Sequence, residues 1–217
     1  MEEALKNNAL PLDDRTAVEI LGTDRPTEEV TRDSYTYYPH TSQVPEAVAV
    51  NVRGKSFKIV SNVEIEANAS GVIFAHGSRF GGHSLFIKDH KLYYVYNFLG
   101  ITEQQLVSTE TLKPGKYTFG MEFTKEKAGK HGESMGTAKL YINDKEVATG
   151  AMTAQVGKFT LVGDGLCVGY DSGDPVSKQY SSPGEFEGGI ISFVTISTGK
   201  EQYLDLEREA ARAFRKE

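Results

Sequence analysis

Three segments of this chain alternate apolar and polar residues with a period of two, and that periodicity dictates sheet rather than helix. In "SFKIVSNVEIEA" the apolar set is Phe57, Ile59, Val63 and Ile65, in "YTFGMEF" it is Tyr117, Phe119, Met121 and Phe123, and in "TAKLYIND" it is Ala138, Leu140 and Ile142. Successive side chains of a strand point to opposite faces, so each set lines one face. Turn-forming clusters separate these runs: "ANASG", "KDHK", "KPGK", "NDKE", "DSGDP" and "SSPGE". Short strands joined by such turns make a sandwich or a barrel. Strand–helix alternation is absent, which argues against a parallel α/β fold. "GEFEGGIISFVTIS" reads as a late strand returning to the core, with Ile190 and Val194 expected inside. The fold class expected is all-β, a two-sheet antiparallel sandwich over residues 35–198.

The flanks read differently. Residues 1–34 are polar and irregular, with a short helical start, "MEEALKNN", that stops before Pro11. Residues 199–217 contain "EQYLDLEREAARAFRKE", whose basic end suits a helix C-terminus. The net charge of −6 disfavours the electrostatic footprint of a nucleic-acid binder. No apolar run is long enough for a membrane helix, and the acidic N-terminal stretch has no signal-peptide core, so neither a membrane partner nor a compartment is indicated. A single cysteine, Cys167, excludes an internal disulfide and is expected to be a small buried hydrophobe.

The densest stretch is "HGSRFGGHSLFIKDHKLYYVYNFLG" at residues 76–100. With "GVIFAH" before it, it reads as a three-stranded meander. His76 and His83 are predicted to lie opposite each other across the first hairpin; a metal site would need a third ligand, and none has a recognisable spacing. Tyr94, Tyr96 and Phe98 share one face of the last strand, and Tyr93, Val95 and Asn97 share the other. One of these faces is the candidate ligand surface, with Arg79, Phe80, Tyr94, Tyr96 and Asn97 as its residues. Arg79 can clamp a carboxylate or sulfate, or pair with an internal acid. In "GDGLCVGYDSGDPVSKQY", Asp164, Asp171 and Asp174 are oxygen ligands of the kind calcium takes, in a stretch that is also ordinary turn sequence. Calcium is therefore the one cofactor considered. Glu64 and Glu66 in "VEIEA" lack the third acid of a glycosidase strand and read as a solvated face. "GESMG" at residues 132–136 fits the G-x-S-x-G pattern but leads into the strand run "TAKLYIND" rather than a helix, so it makes no nucleophile elbow, and the chain has no H-E-x-x-H and no phosphate loop.

Several ordered motifs carry a resemblance: "NNALPLDDR", "SYTYYPHTSQVPEAVAVNVRGKSFKI", "GVIFAHGSRFGGHSLFIKDHKLYYVYNFLG", "LKPGKYTFGMEF" and "GLCVGYDSGDPVSKQY". Together, over about residues 2–198, they resemble the C-terminal region of bacterial arylsulfatases. The resemblance implies a concanavalin A-like, or laminin G-like, jelly roll that follows a sulfatase catalytic domain, with residues 1–34 as the remnant of the linker. The formylglycine motif C-x-P-S-R is absent, and Cys167 lies in the unrelated "LCVGYD". No catalytic residue of the family carries over, and no sulfatase activity is expected from this chain. The expected role is a non-catalytic accessory domain that shapes substrate access; the alternative is a stand-alone lectin-like module for a sulfated or acidic glycan. The expected partner is a sulfatase catalytic domain in cis or a second copy of the chain, because Leu5, Leu10, Leu12, Val18, Ile20, Leu21, Leu204, Leu206 and Phe214 are isolated apolar groups on the flanks.

Overall fold

The computed structural model describes residues 2–7, 33–159 and 164–199. The chain divides into two units, Arg32–Tyr203 and a second made of Met1–Thr31 with Leu204–Glu217. In the second unit the described part is helix α1 (Glu2–Lys6), with Glu2 and Glu3 in its first turn and Lys6 in its last, as the helix dipole favours. The helix expected over residues 199–217 and most of the apolar groups assigned to a partner surface lie outside the described residues.

The first unit is an all-β antiparallel sandwich. Its strands are β1 (Ser34–Tyr37), β2 (Phe57–Ser78), β3 (Gly81–Lys88), β4 (Lys91–Phe98), β5 (Thr102–Val107), β6 (Gly115–Ala128), β7 (Ser134–Ile142), β8 (Lys145–Ala154), β9 (Leu166–Val168) and β10 (Glu187–Thr198). β2 serves both layers. Its first part, residues 57–65, runs between β10 and β6, and its last part, residues 71–78, runs between β3 and β9. One sheet is therefore ordered β1-β10-β2-β6-β7-β8 and the other β5-β4-β3-β2-β9. The β3–β4 connection is the two-residue Asp89–His90 turn, both residues at positive φ, which matches the right-handed twist of the flanking strands.

The inner faces meet in one core. Phe57, Ile59, Val63, Ile65, Phe119, Met121, Leu140 and Ile142 come from the first sheet, and Leu85, Ile87, Tyr94 and Tyr96 from the second. Burying each such side chain contributes roughly 1.5–3 kcal/mol. The alternation rule thus places every expected core residue of β2, β6 and β7 inside. It fails once, at Ile190, which is 67% exposed while Ile191 is buried. The cause is a bulge: Ile191 pairs with Val63 but Phe193 with Asn62, so Ser192 is the extra residue and the phase of the strand flips there. Ile191 and Val194 consequently share the inner face. Ile190→Thr is expected to leave stability within about 0.5 kcal/mol of the parent in urea unfolding; a loss above about 2 kcal/mol would contradict the bulged register.

A second, smaller cluster lies on the outer face of the second sheet. Val72, Ala75, Phe86 and Val95 are covered there by Val176, with Tyr93 and Tyr180 packed against them. Tyr180 and Val176 belong to a strap, residues 169–186, between β9 and β10. Asp171 holds the strap: its Oδ2 accepts hydrogen bonds from the Val176 amide (2.8 Å) and the Tyr180 hydroxyl (2.7 Å). Lys88 Nζ donates to the carbonyl and side-chain oxygens of Gln179, both at 3.1 Å.

Candidate functional site

The two stretches that the sequence singles out meet at one rim of the sandwich. The β2–β3 hairpin closes with Ser78 opposite Gly81, leaving Arg79 and Phe80 at its tip. The β4–β5 hairpin turns at Leu99 and Gly100, with the Ile101 amide donating to Phe98 O at 2.9 Å. The strap supplies Asp174, whose Oδ2 lies 3.1 Å from Arg79 Nε.

Buried amides fasten these tips. Asn97 is 4% exposed and uses its whole side chain: Nδ2 donates to Arg79 O (3.1 Å) and Val176 O (2.9 Å), and Oδ1 accepts from the Gly100 amide (2.9 Å). Gln155 accepts from the Leu99 amide (3.1 Å) and donates to Lys158 O (2.7 Å). Its amide also lies against Gly81, where a Cβ would come within 2.6 Å of Oε1, so only glycine allows that approach. The two hairpin tips touch as well: a Cβ on Gly100 would sit 2.8 Å from Arg79 O. The rim is therefore a rigid, preformed surface.

What this surface presents is apolar. Phe80 is 41% exposed, Leu99 46% and Ile101 77%. Leu99 also holds φ at +54°. A branched side chain in the left-handed region is strained, and glycine or asparagine is the ordinary choice for that turn position. Folding gains little from an exposed leucine there, and strain of this kind collects at functional surfaces. The guanidinium carbon of Arg79 sits 4.8 Å from the Phe80 ring centroid, so the one cation of the two tips lies over the aromatic face. The Arg79–Asp174 pair is exposed on both sides, and Asp174→Ala is expected to change stability by less than about 1 kcal/mol in urea unfolding.

The expected site residues divide. Arg79 and Phe80 are at the rim. Tyr94 and Tyr96, each 1% exposed, are core residues and present no platform to a ligand. The register puts both on the inner face of β4, where the Tyr94 hydroxyl meets His83 Nδ1 at 3.0 Å and the Tyr96 hydroxyl accepts from the Gln155 amide at 2.9 Å. Asn97 is a fastener rather than a contact residue. The opposite face of β4, with Tyr93 and Val95, is closed by the strap. Of the three aspartates, Asp174 reaches the rim and Asp164 lies beside it, its pKa raised by burial and by the Asp174 charge. Asp171 is turned inward, its carboxyl raised to about 6 by burial. Among the described residues no three His, Cys, Asp or Glu side chains are grouped so as to hold a metal ion. Leu99 and Ile101 escaped notice in the sequence. Their signal was apolar residues flanking the glycine of a hairpin turn, where polar ones are expected.

His76 and His83 do face each other, ring centroids 5.8 Å apart, but in the core. His76 is 2% exposed and His83 0%. Burial, reinforced by the Arg53 charge, pushes His76 down to about 3. His83 is also lowered, by burial and by His76. Cys167 is buried, its Sγ 3.3 Å from Ser172 Oγ.

No family model matches the sequence, and no curated protein matches it. Similar folds occur among solved structures. Domains LG4–5 of the mouse laminin α1 chain are 16% identical with a TM-score of 0.45, over 80% of this chain and 42% of that one. A heptameric SAP-like pentraxin from Limulus polyphemus is 14% identical with a TM-score of 0.43, over 83% of this chain and 81% of that one. A galectin from Caenorhabditis elegans is 8% identical with a TM-score of 0.39, over 75% and 95%. This chain thus spans about two-fifths of the laminin fragment. These neighbours are laminin G-like and concanavalin A-like sandwiches, and the sandwich of this chain rests on its own strand pairing; none of the three is a sulfatase.

Proposed function

We propose that this chain is a non-catalytic binding module that docks through the Phe80–Leu99–Ile101 rim on an apolar surface of a partner protein. The observation that carries this reading is the strained, exposed Leu99 on fastened hairpin tips that also expose Phe80 and Ile101. Exposed apolar residues held together on a rigid support mark interaction sites, and a few such anchors carry most of the binding energy of an interface. The sequence motifs refine the partner: a sulfatase-type catalytic domain, beside which the sandwich borders the substrate entrance. The reading requires no metal, since the Arg79 guanidinium already supplies positive charge beside Asp174.

Arg79 favours a second reading, a site for a sulfated or acidic glycan. Its side chain is 63% exposed, so part of the guanidinium faces solvent beyond the ion pair. The concave-platform version of that reading is disfavoured, because Tyr94 and Tyr96 are interior.

Calorimetry with a purified bacterial arylsulfatase catalytic domain in one arm and chondroitin sulfate in the other separates the readings. Docking predicts binding to the protein with a negative heat-capacity change. The combined Phe80→Ser, Leu99→Asn and Ile101→Ser variant should then weaken it by about 100-fold or more, with Arg79→Ala having a smaller effect. Binding to the polysaccharide alone, removed by Arg79→Ala and by added salt, selects the glycan. Binding in neither arm defeats both.

A further inference from the structure

A second site lies in the same unit, where the edge strand β1 stops short of the start of β10. β1 pairs with β10 only from Tyr37 opposite Val194 back to Ser34 opposite Ser197. The chain next pairs at Val44, which bridges Leu166 of β9 in the other sheet. Between these points no backbone hydrogen bond joins residues 38–42 to β10 among the described residues. The edge of β10 at residues 189–191 is thus left without a strand beside it. The gap is a cleft of about 280 Å³ lined by Pro39, His40, Val168, Gly169, Tyr170, Glu185, Phe186, Gly189, Ile190 and Ile191.

The cleft has an uneven chemistry. Tyr170 and Phe186 supply rings, and Val168, Ile190 and Ile191 supply aliphatic wall. Glycines at 169 and 189 keep the backbone bare. Tyr170 also ties this segment to the cleft, its hydroxyl donating to Thr41 O at 3.3 Å. Glu185 is the one acidic residue of the lining, exposed and with no hydrogen bond or ion pair among the described residues, and His40 is the one basic residue. Lysine and arginine are absent from the lining. Alternate residues of an unpaired strand edge also offer carbonyl acceptors to whatever lies beside them.

We infer that this cleft receives a primary alkylammonium group. An ammonium brings three donors to a site with one free carboxylate and edge carbonyls. Its methylene stem packs against Phe186 and Ile190 while the head meets aromatic faces and negative charge. A carboxylate or phosphate ligand would face Glu185 with no lysine or arginine to compensate it. The group is either the side chain of a lysine on a partner protein or a free small amine. The site is independent of the rim, so failure of either leaves the other standing.

The test is an NMR titration of the full chain, following the amides of Gly169 and Gly189 against Gly100 at the rim. The probes are 1-aminobutane, the neutral isostere 1-butanol, and the peptide acetyl-Gly-Lys-Gly-amide. The expected result is saturable shifts at the cleft glycines with the amine or the lysine peptide, and at least ten-fold weaker effects with butanol. Glu185→Gln should weaken amine binding about ten-fold while leaving the rest of the spectrum unchanged. Tighter binding of the peptide than of the free amine identifies a partner's lysine as the source, and the reverse identifies a small amine. Butanol binding as well as the amine, an unchanged affinity in Glu185→Gln, or shifts confined to other residues would overturn the proposal.

Discussion

Asn97→Ala is expected to destabilise the chain by about 3 kcal/mol, lowering the thermal midpoint by roughly 6–12 °C. The side chain is 4% exposed, and all its hydrogen-bonding groups are used. Truncation leaves the Val176 carbonyl, the Arg79 carbonyl and the Gly100 amide to find new partners, and each buried polar group left unpaired costs about 1–3 kcal/mol. Water can reach the tips at Arg79 and Gly100 more readily than Val176, which keeps the total well below the sum. The functional consequence is larger than the stability loss suggests. Asn97 touches neither Phe80 nor Ile101 through its side-chain bonds, yet it sets the spacing of the loops that carry them. Docking should therefore weaken although every exposed contact residue is intact. Urea unfolding gives the stability change, and hydrogen exchange at Gly100 reports the loosened tip. A variant that unfolds with the parent and protects Gly100 equally would show that the rim is held elsewhere.

Stability should also fall steeply in mild acid, and His76→Leu should remove much of that fall. An unfolded histidine titrates near about 6.5, whereas folded His76 is held to about 3 by burial and by the Arg53 charge. Between those values the unfolded chain carries a proton that the folded chain refuses. The stability contributed by His76 is thus complete above about pH 6.5 and lost as pH falls toward 3. At pH 5 the loss is about 2 kcal/mol. His83 acts in the same direction, its pKa lowered by burial and by His76. Neither His76 nitrogen has a protein partner among the described residues, and a cavity of about 10 Å³ adjoins the ring, bordered by Glu46, Arg53 and Phe159. Burial and the Arg53 charge together disfavour an imidazolium there. Asp171 opposes the histidines. Its folded pKa of about 6 lies above the unfolded carboxyl value, so it gains stability as pH falls from 6 toward 4, about 1.4 kcal/mol at pH 5. Asp164, raised by burial and by the Asp174 charge, acts with Asp171, and the net slope remains acid-destabilising because both imidazoles are fully buried and held far below their ordinary range. Relative to the parent, His76→Leu should be about 2 kcal/mol more favourable at pH 5 than at pH 8 in urea unfolding. Parallel pH profiles for the two proteins would mean that His76 titrates normally in the folded state.

The sequence determined the all-β class and most of the core, because the period of a strand is set by local backbone geometry. Phe57, Ile59, Phe119, Met121, Leu140 and Ile142 could be assigned inward from alternation alone, and the Asp89–His90 hairpin from strand length. Ile190 could not. Its face depends on the bulge at Ser192, which shows only in the pairing of β10 with β2, a strand more than a hundred residues earlier in the chain. Nor could the sequence say which face of β4 is free. Alternation separates Tyr94 and Tyr96 from Tyr93 and Asn97, but both faces turn out to be covered, one by the opposite sheet and one by the strap that Asp171 and Tyr180 hold down. The candidate site followed the same division. Arg79 and Phe80 were visible as a hairpin tip. Their neighbours Leu99 and Ile101, the Asp174 partner and the Asn97 fastening were not, because each is brought there by pairing between segments distant in the chain. Local propensity fixes which residues can form a strand or turn; only long-range packing decides which turns come to lie together.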